Sequence, residues 1–350
     1  MENTRTAPFN YRFLAGNRSL EEEMQAFLAD WDAPSSCLEV QTSGSTGIPK
    51  HLWVRKEQMI NSARLTCDRL GLRQGDKALL CMPLRYIAGK MMVVRSLVAG
   101  LDLFVCEPSG HPLANIGTPL RFAAMIPMQV FNTLQVPVER ERLREIDILI
   151  IGGGPIDPEL ERLIQDLPGE VYSTYGMTET LSHIALRRLN GPDASPFYTP
   201  FPSVRLSLSS AGTLTIDAPL VADETLVTND LAELLPDGRF RILGRKDNTI
   251  NSGGIKIQIE SVENALRPII SANFAITSVP DPKFGEAVVL LITAGNGSSF
   301  GTEGKIFEVL PKYQRPKHIF HVEAIPFTGS GKIDRAACRE LAKRLLPIIN

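Results

Sequence analysis

The run Asp147–Ile151 carries four consecutive aliphatic side chains, stops at Gly152-Gly153-Gly154, and gives way to helical spacing over Pro158–Leu167. A strand without polar alternation has to be covered on both faces. That is the condition of a strand inside a parallel sheet, and the helix that follows supplies one cover. The order recurs upstream. Lys77–Cys81 reads as a buried strand, Ala88–Ala99 as its helix and Leu101–Val105 as the next strand. Cys37–Gln41 is a short strand, extended structure resumes at Leu52–Val54, and Lys56–Leu70 is a helix closed by Gly71. Helices are also expected over residues 19–31 and near Pro119–Met125, and a strand over Glu170–Ser173. The fold class is therefore α/β, with mixed or parallel sheets and covering helices. In such sheets ligands lie beyond the carboxyl ends of the strands.

After about Pro200 the pattern changes to short strands: Val204–Ser209, Thr213–Asp217, Leu226–Thr228, Leu231–Leu235 and Phe240–Leu243. Pro236-Asp237-Gly238 reads as a hairpin turn between two of them. A polar link, Gly244-Arg245-Lys246-Asp247-Asn248, leads to a second α/β segment. The expected organisation is one domain over residues 1–244, with a short-strand subdomain from about 200. A hinge about 245–247 and a smaller mobile domain over 248–350 would follow.

Composition narrows the partners. A net charge of −2 gives no electrostatic reason to expect nucleic acid or a membrane surface. The five cysteines are scattered, odd in number and without a C-x-x-C pair, which argues for thiols in a reducing compartment and against a zinc site. The first residues lack the apolar core of a signal peptide, and the expected location is cytoplasmic.

The segment most able to bind an anion is Thr42-Ser43-Gly44-Ser45-Thr46-Gly47-Ile48-Pro49-Lys50. Its hydroxyls, glycine-freed backbone N–H groups and terminal ammonium suit a polyphosphate. It departs from the P-loop spacing, since Lys50 stands three residues after Gly47 and His51 follows it. Four further segments follow in order: Tyr175-Gly176-Met177-Thr178-Glu179-Thr180, Thr228-Asn229-Asp230, Arg245 at the link, and Phe327-Thr328-Gly329-Ser330-Gly331-Lys332.

In this order and spacing the segments resemble the ANL family of adenylate-forming enzymes, from about residue 40 to 335. The resemblance implies a reaction in which a carboxylate attacks the α-phosphorus of ATP and a thiol then displaces AMP. It implies roles as well. Thr42, Ser43, Gly44, Ser45, Thr46, Gly47 and Lys50 would hold the β- and γ-phosphates. Glu179 would hold Mg²⁺, and Thr178 would touch the α-phosphate. Gly153, Gly154, Tyr175 and Gly176 would form the adenine slot, Asp230 would accept from the ribose hydroxyls, and Arg245 would support the ribose. Lys332 would bridge the attacking carboxylate and the α-phosphate, and Asp247 would be the hinge of domain rotation. Ser252, Gly253 and Gly254 would meet the pantetheine arm of coenzyme A.

Within the family, Pro83–Gly89 with Arg95, and Met177–His183, look most like the o-succinylbenzoate–CoA ligases of menaquinone synthesis. Their substrate has two carboxylates, one activated and one recognised. Arg95 interrupts the apolar stretch Met91–Val98, and a buried guanidinium needs an anionic partner. Arg95, Ser182, His183 and Tyr86 are the expected pocket residues. Another aryl acid such as a benzoate, or a nucleotide-binding module without turnover, are the competing readings. Family members carry a larger segment before the first glycine loop, and the trimmed front end leaves a sheet flank that a homodimer would cover.

Overall fold

A computed structural model of the 350-residue chain describes residues 9–14, 18–41, 51–293, 305–328 and 333–346. The first half alternates strands and helices: β1 Asn10–Phe13, α1 Arg18–Asp32, β2 Cys37–Gln41, β3 His51–Arg55, α2 Lys56–Leu70, β4 Lys77–Leu80 and α3 Ile87–Ala99. It continues with β5 Asp102–Val105, β6 Leu120–Met125, α4 Pro127–Gln135, α5 Pro137–Arg144, β7 Ile146–Ile151, α6 Pro158–Leu163 and β8 Glu170–Gly176. β9 His183–Arg188 and β10 Thr199–Pro200 complete the main sheet.

That sheet has eight strands in the order β1-β5-β4-β6-β7-β8-β9-β10. Its neighbours from β1 to β8 run parallel, and β9 and β10 turn antiparallel at one edge. The expected α/β class with mixed sheets is what the chain adopts. From β4 the chain passes through α3 to β5 on one side, while β6 takes the other side. This reversal opens a crevice at the carboxyl ends of β4 and β6. The segments after β4, β6, β7 and β8 all emerge along that edge.

Two local expectations need correction. Pro119–Met125 is not a helix: Leu120–Met125 is β6, in register with β7 from Leu120↔Ile146 to Met125↔Ile151. A short run with five apolar residues and Arg121 fits either state by periodicity, and here burial between two parallel neighbours decides it. Leu226–Thr228 and Leu231–Leu235 are not two strands but parts of one, β13 Leu226–Leu234. The irregularity in its pairing with β12, where Thr213 faces Leu231 and Thr215 faces Val227, spans the polar residues between them.

β11 Arg205–Leu208, β12 Thr213–Asp217, β13 and β14 Phe240–Arg245 form an antiparallel four-stranded sheet. Gly238, at φ +85°, turns the chain between its last two strands, as the Pro-Asp-Gly sequence requires. The remaining elements are β15 Thr249–Ser252, β16 Ile255–Gln258, α7 Ile259–Leu266, β17 Phe274–Asp281, β18 Gly285–Thr293, β19 His318–Val322 and α8 Arg335–Leu345. Their sheet carries α7 and α8 and has its own two apolar clusters, one around Ile257, Val262 and Leu290 and one around Val289, Phe320 and Cys338. A separate cluster runs from Leu20 to Phe240. Buried Glu263 on α7 accepts two hydrogen bonds from Arg335 of α8, at 2.6 and 2.8 Å, and one from the Ile276 N–H at 2.9 Å. Among the described residues no helix is long and apolar enough to cross a membrane.

Candidate active site

Two groups of polar side chains stand out, one at the junction of the eight-stranded and four-stranded sheets and one inside the first core. In the first, the Tyr175 hydroxyl at the end of β8 donates to Asp230 Oδ2 at 2.7 Å. Asp230 sits on β13 opposite Arg245 of β14, whose Nη1 lies 3.5 Å from Asp230 Oδ1. The Asp230 N–H is held by the Thr228 hydroxyl at 3.1 Å. Arg245 Nη2 reaches Asp247 Oδ2 at 2.9 Å, and Asn229 Nδ2 reaches the same oxygen at 3.2 Å. The Tyr175 ring packs edge-on to Phe240 and against Tyr198, with centroids 5.2 and 5.9 Å away. Burial, reinforced by the adjacent Asp230 carboxylate, pushes the Tyr175 phenol up, so at neutral pH it is a fixed donor. Residues 175, 230, 245 and 247 thus meet in one network.

The glycines around this junction have separate structural reasons. Gly153, at φ +81°, turns the chain after β7, beside Ile126 at the end of β6. A Cβ on Gly176 would fall 2.2 Å from the Ser182 carbonyl oxygen, where β8 and β9 approach at a pairing irregularity. Between them Thr178-Glu179-Thr180 forms a single 3₁₀ turn. Thr180 is buried and its hydroxyl accepts from the Met177 N–H at 3.0 Å, which leaves Glu179 on the exposed side.

The second group lies where α2, α3 and the start of β9 meet. Arg95 of α3 is 2 % exposed. Its Nη2 donates to Ser182 Oγ at 2.6 Å, its Nη1 lies 3.6 Å from the Met92 sulfur, and its Nε is buried with no partner among the described residues. Among the described residues no carboxylate pairs with it. Burial lowers the guanidinium pKa to about 10, with the Cys67 thiol nearby acting in the opposite sense. Ser182 Oγ is 3.3 Å from His183 Nδ1, and His183 Nε2 is 3.2 Å from Thr66 Oγ1. His183 is buried beside the Arg95 charge, and both effects, burial first, hold its pKa well below the ordinary range. The ring is therefore neutral at neutral pH. Arg95, Ser182 and His183 are in contact as a chain, but both ring nitrogens of His183 are already engaged. Tyr86 stands apart from it, bridging to Gln41 with Arg85 over its ring.

The loop 42–50 and Lys332 lie outside the described residues. Their flanks do not. Gln41 pairs with His51, the last pair of the antiparallel β2–β3 ladder before that loop, and Phe327 bridges to Ile333. At the expected coenzyme A segment, Ser252 pairs with Ile255 across Gly253-Gly254, whose φ values of +60° and +81° make a two-residue hairpin turn. That geometry alone requires glycine-like residues there. Asp247 lies in the short turn Lys246–Asn248 between β14 and β15.

Sequence reasoning passed over Thr66 and gave no role to Asn229. Asn229 belongs to a polar triplet and was visible; a threonine in mid-helix carries no such signal.

Comparison with known proteins follows the same lines. The family model described as AMP-binding enzyme matches residues 19–226. A crystal structure of an acyl-CoA synthetase (AMP-forming)/AMP-acid ligase II-like protein from Dyadobacter fermentans is 34 % identical, with 92 % of this chain and 94 % of that one covered and a TM-score of 0.64. A probable 2-succinylbenzoate–CoA ligase from Mycobacterium tuberculosis is 28 % identical over 330 residues, covering 86 % of this chain and 83 % of the relative. The o-succinylbenzoate coenzyme A synthetase (MenE) from Bacillus subtilis, in complex with ATP and magnesium, shares the fold at a TM-score of 0.72. It is 22 % identical, with 85 % of this chain and 68 % of that one covered.

Proposed function

Since the chain belongs to the AMP-binding enzyme family, we propose that it is an ATP-dependent acid–CoA ligase whose acid is o-succinylbenzoate. The family reaction has two steps. A carboxylate oxygen bonds to the α-phosphorus of ATP as the bond to pyrophosphate breaks; then the thiol sulfur of coenzyme A bonds to the acyl carbon as AMP leaves. Both need positive charge and donors where negative charge accumulates.

The residue roles are those the family resemblance implies, and the chemistry each side chain offers supports them. Asp230 has two acceptor oxygens for the ribose hydroxyls, held by Tyr175 and Arg245. Gly153 and Gly154 permit close approach of a flat base next to Tyr175. Thr178 touches the α-phosphate. The donors of Thr42–Lys50 take the β- and γ-phosphates, and Lys332 neutralises the attacking carboxylate and the α-phosphate together. Mg²⁺ fits a site of one exposed carboxylate, Glu179, completed by phosphate oxygens and water, and it would neutralise phosphate charge there. The described residues gather no group of three His, Cys, Asp or Glu side chains, as a cage made wholly of protein would require. Asp247, tied to Arg245 and Asn229, is the pivot at which the C-terminal domain turns between the two steps. Ser252, Gly253 and Gly254 then face the pantetheine arm.

The observation that carries the choice of acid is Arg95, a buried guanidinium with one oxygen partner, an orphaned Nε and no carboxylate among the described residues. A dicarboxylate supplies the missing anion; a benzoate does not, and its single carboxylate is consumed at phosphorus. The name of the Mycobacterium relative points the same way. The test is thioester formation with ATP, Mg²⁺ and coenzyme A, comparing o-succinylbenzoate with benzoate. Equal kcat/KM for the two acids would refute the assignment.

A further inference from the structure

Hydrogen-bond bookkeeping around Arg95 fixes more than its immediate partner. Thr66 Oγ1 lies 3.1 Å from the Ser62 carbonyl, one turn back on α2, and 3.2 Å from His183 Nε2. A hydroxyl has one proton, and the carbonyl can only accept, so Thr66 donates to Ser62 and accepts from Nε2. His183 therefore carries its hydrogen on Nε2. The ring is neutral, so Nδ1 presents a lone pair, which the Ser182 hydroxyl 3.3 Å away donates to. With its only proton committed, Ser182 turns an oxygen lone pair to Arg95 Nη2 at 2.6 Å. The chain runs one way: Arg95, Ser182, His183, Thr66, Ser62.

We propose that His183 and Thr66 are positioning residues for substrate recognition: they commit the Ser182 proton to His183, so that Ser182 can only accept from Arg95, which fixes the guanidinium and leaves its Nε–H for the acid's second carboxylate. This rests on the reading of Arg95 as the carboxylate subsite. Thr66, Arg95 and His183 are buried, at 0, 2 and 6 % exposed, and Ser182 is half-buried, so bulk water does not replace the link between Thr66 and His183. Were the hydrogen on Nδ1 instead, Ser182 would be free to turn its proton toward Arg95, donor against donor.

The test uses the full-length enzyme. Thr66→Val, nearly isosteric, removes the acceptor and Thr66→Ser keeps it. Val is expected to raise KM for o-succinylbenzoate about fivefold to tenfold, the effect of one buried hydrogen bond on guanidinium alignment. kcat and the KM for ATP should stay within about twofold, and Ser should restore the wild-type KM. A general loss of structure would move all three constants together, and that outcome overturns the proposal. An unchanged acid KM in Thr66→Val, with Arg95→Met impaired, refutes the relay and leaves the Arg95 subsite standing. An unchanged acid KM in Arg95→Met removes the subsite and the relay together. Independently of folding, ¹⁵N spectra of histidine-labelled wild type, with His183 assigned by its absence from His183→Gln, must show a neutral ring protonated at Nε2. Protonation at Nδ1 contradicts the scheme.

Discussion

Replacing Arg95 by methionine should stabilise the unliganded protein while weakening it as an enzyme for its own acid. The guanidinium is 2 % exposed, and burial depresses its pKa to about 10. Because the charged form is the disfavoured one, the penalty is present at every pH below about 10. It fades only as the group loses its proton above that. The gap to the ordinary guanidinium value, at about 1.36 kcal/mol per pH unit, corresponds to about 3 kcal/mol. Methionine, unbranched and apolar, fills much of the same space and gives up the charge-assisted hydrogen bond to Ser182, worth about 1.5 kcal/mol. The net gain of about 1.5 kcal/mol raises the melting temperature by about 3–6 °C for a unit of 150–250 residues. The same substitution removes a charge-assisted contact to the second carboxylate, worth about 1.5–3 kcal/mol, so KM for o-succinylbenzoate should rise by about 10- to 150-fold. Thermal unfolding without ligand reads the first effect and steady-state thioester formation the second. A lower melting temperature together with an unchanged KM would refute the reasoning, because Arg95 would then be an ordinary core-stabilising residue.

Other perturbations separate the remaining parts. Lys332→Ala should slow acyl-adenylate formation by about 10²–10³-fold, as removal of one transition-state donor does, while thioester formation from preformed adenylate is largely spared; equal losses in single-turnover assays would contradict its role. Asp247→Pro should leave adenylation intact and cripple thioester formation, whereas a matched fall in both half-reactions would dismiss the hinge. Arg335→Met strands buried Glu263 with the Ile276 N–H as its remaining partner. Denaturant unfolding should show a loss of about 3–5 kcal/mol in the unit carrying α7 and α8, and no loss would mean the pair is not holding those helices.

The elements that could be read from the sequence were those whose periodicity and punctuation agreed. Lys56–Leu70 closes at Gly71 in the left-handed conformation, and Asp147–Ile151 ends at a glycine turn, so chain and structure coincide there. β6 could not be read, because Leu-Arg-Phe-Ala-Ala-Met has no period that separates a buried strand from a helix, and only its parallel neighbours decide. Arg95 was legible as a charge in an apolar helix. That no carboxylate among the described residues pairs with it was not, since that depends on what α2 and β9 bring to it across long stretches of chain. Tyr175 and Asp230, 55 residues apart, could be placed in one site by resemblance, but their hydrogen bond is a product of how the eight-stranded and four-stranded sheets meet. Thr66 illustrates the limit: its importance lies wholly in the His183 nitrogen it faces.

Acid-dependent exchange of labelled pyrophosphate into ATP, with Mg²⁺ and without coenzyme A, tests the central claim most directly. Rapid exchange with o-succinylbenzoate and little with benzoate is the predicted result. Exchange with neither acid, or equally with both, would contradict it.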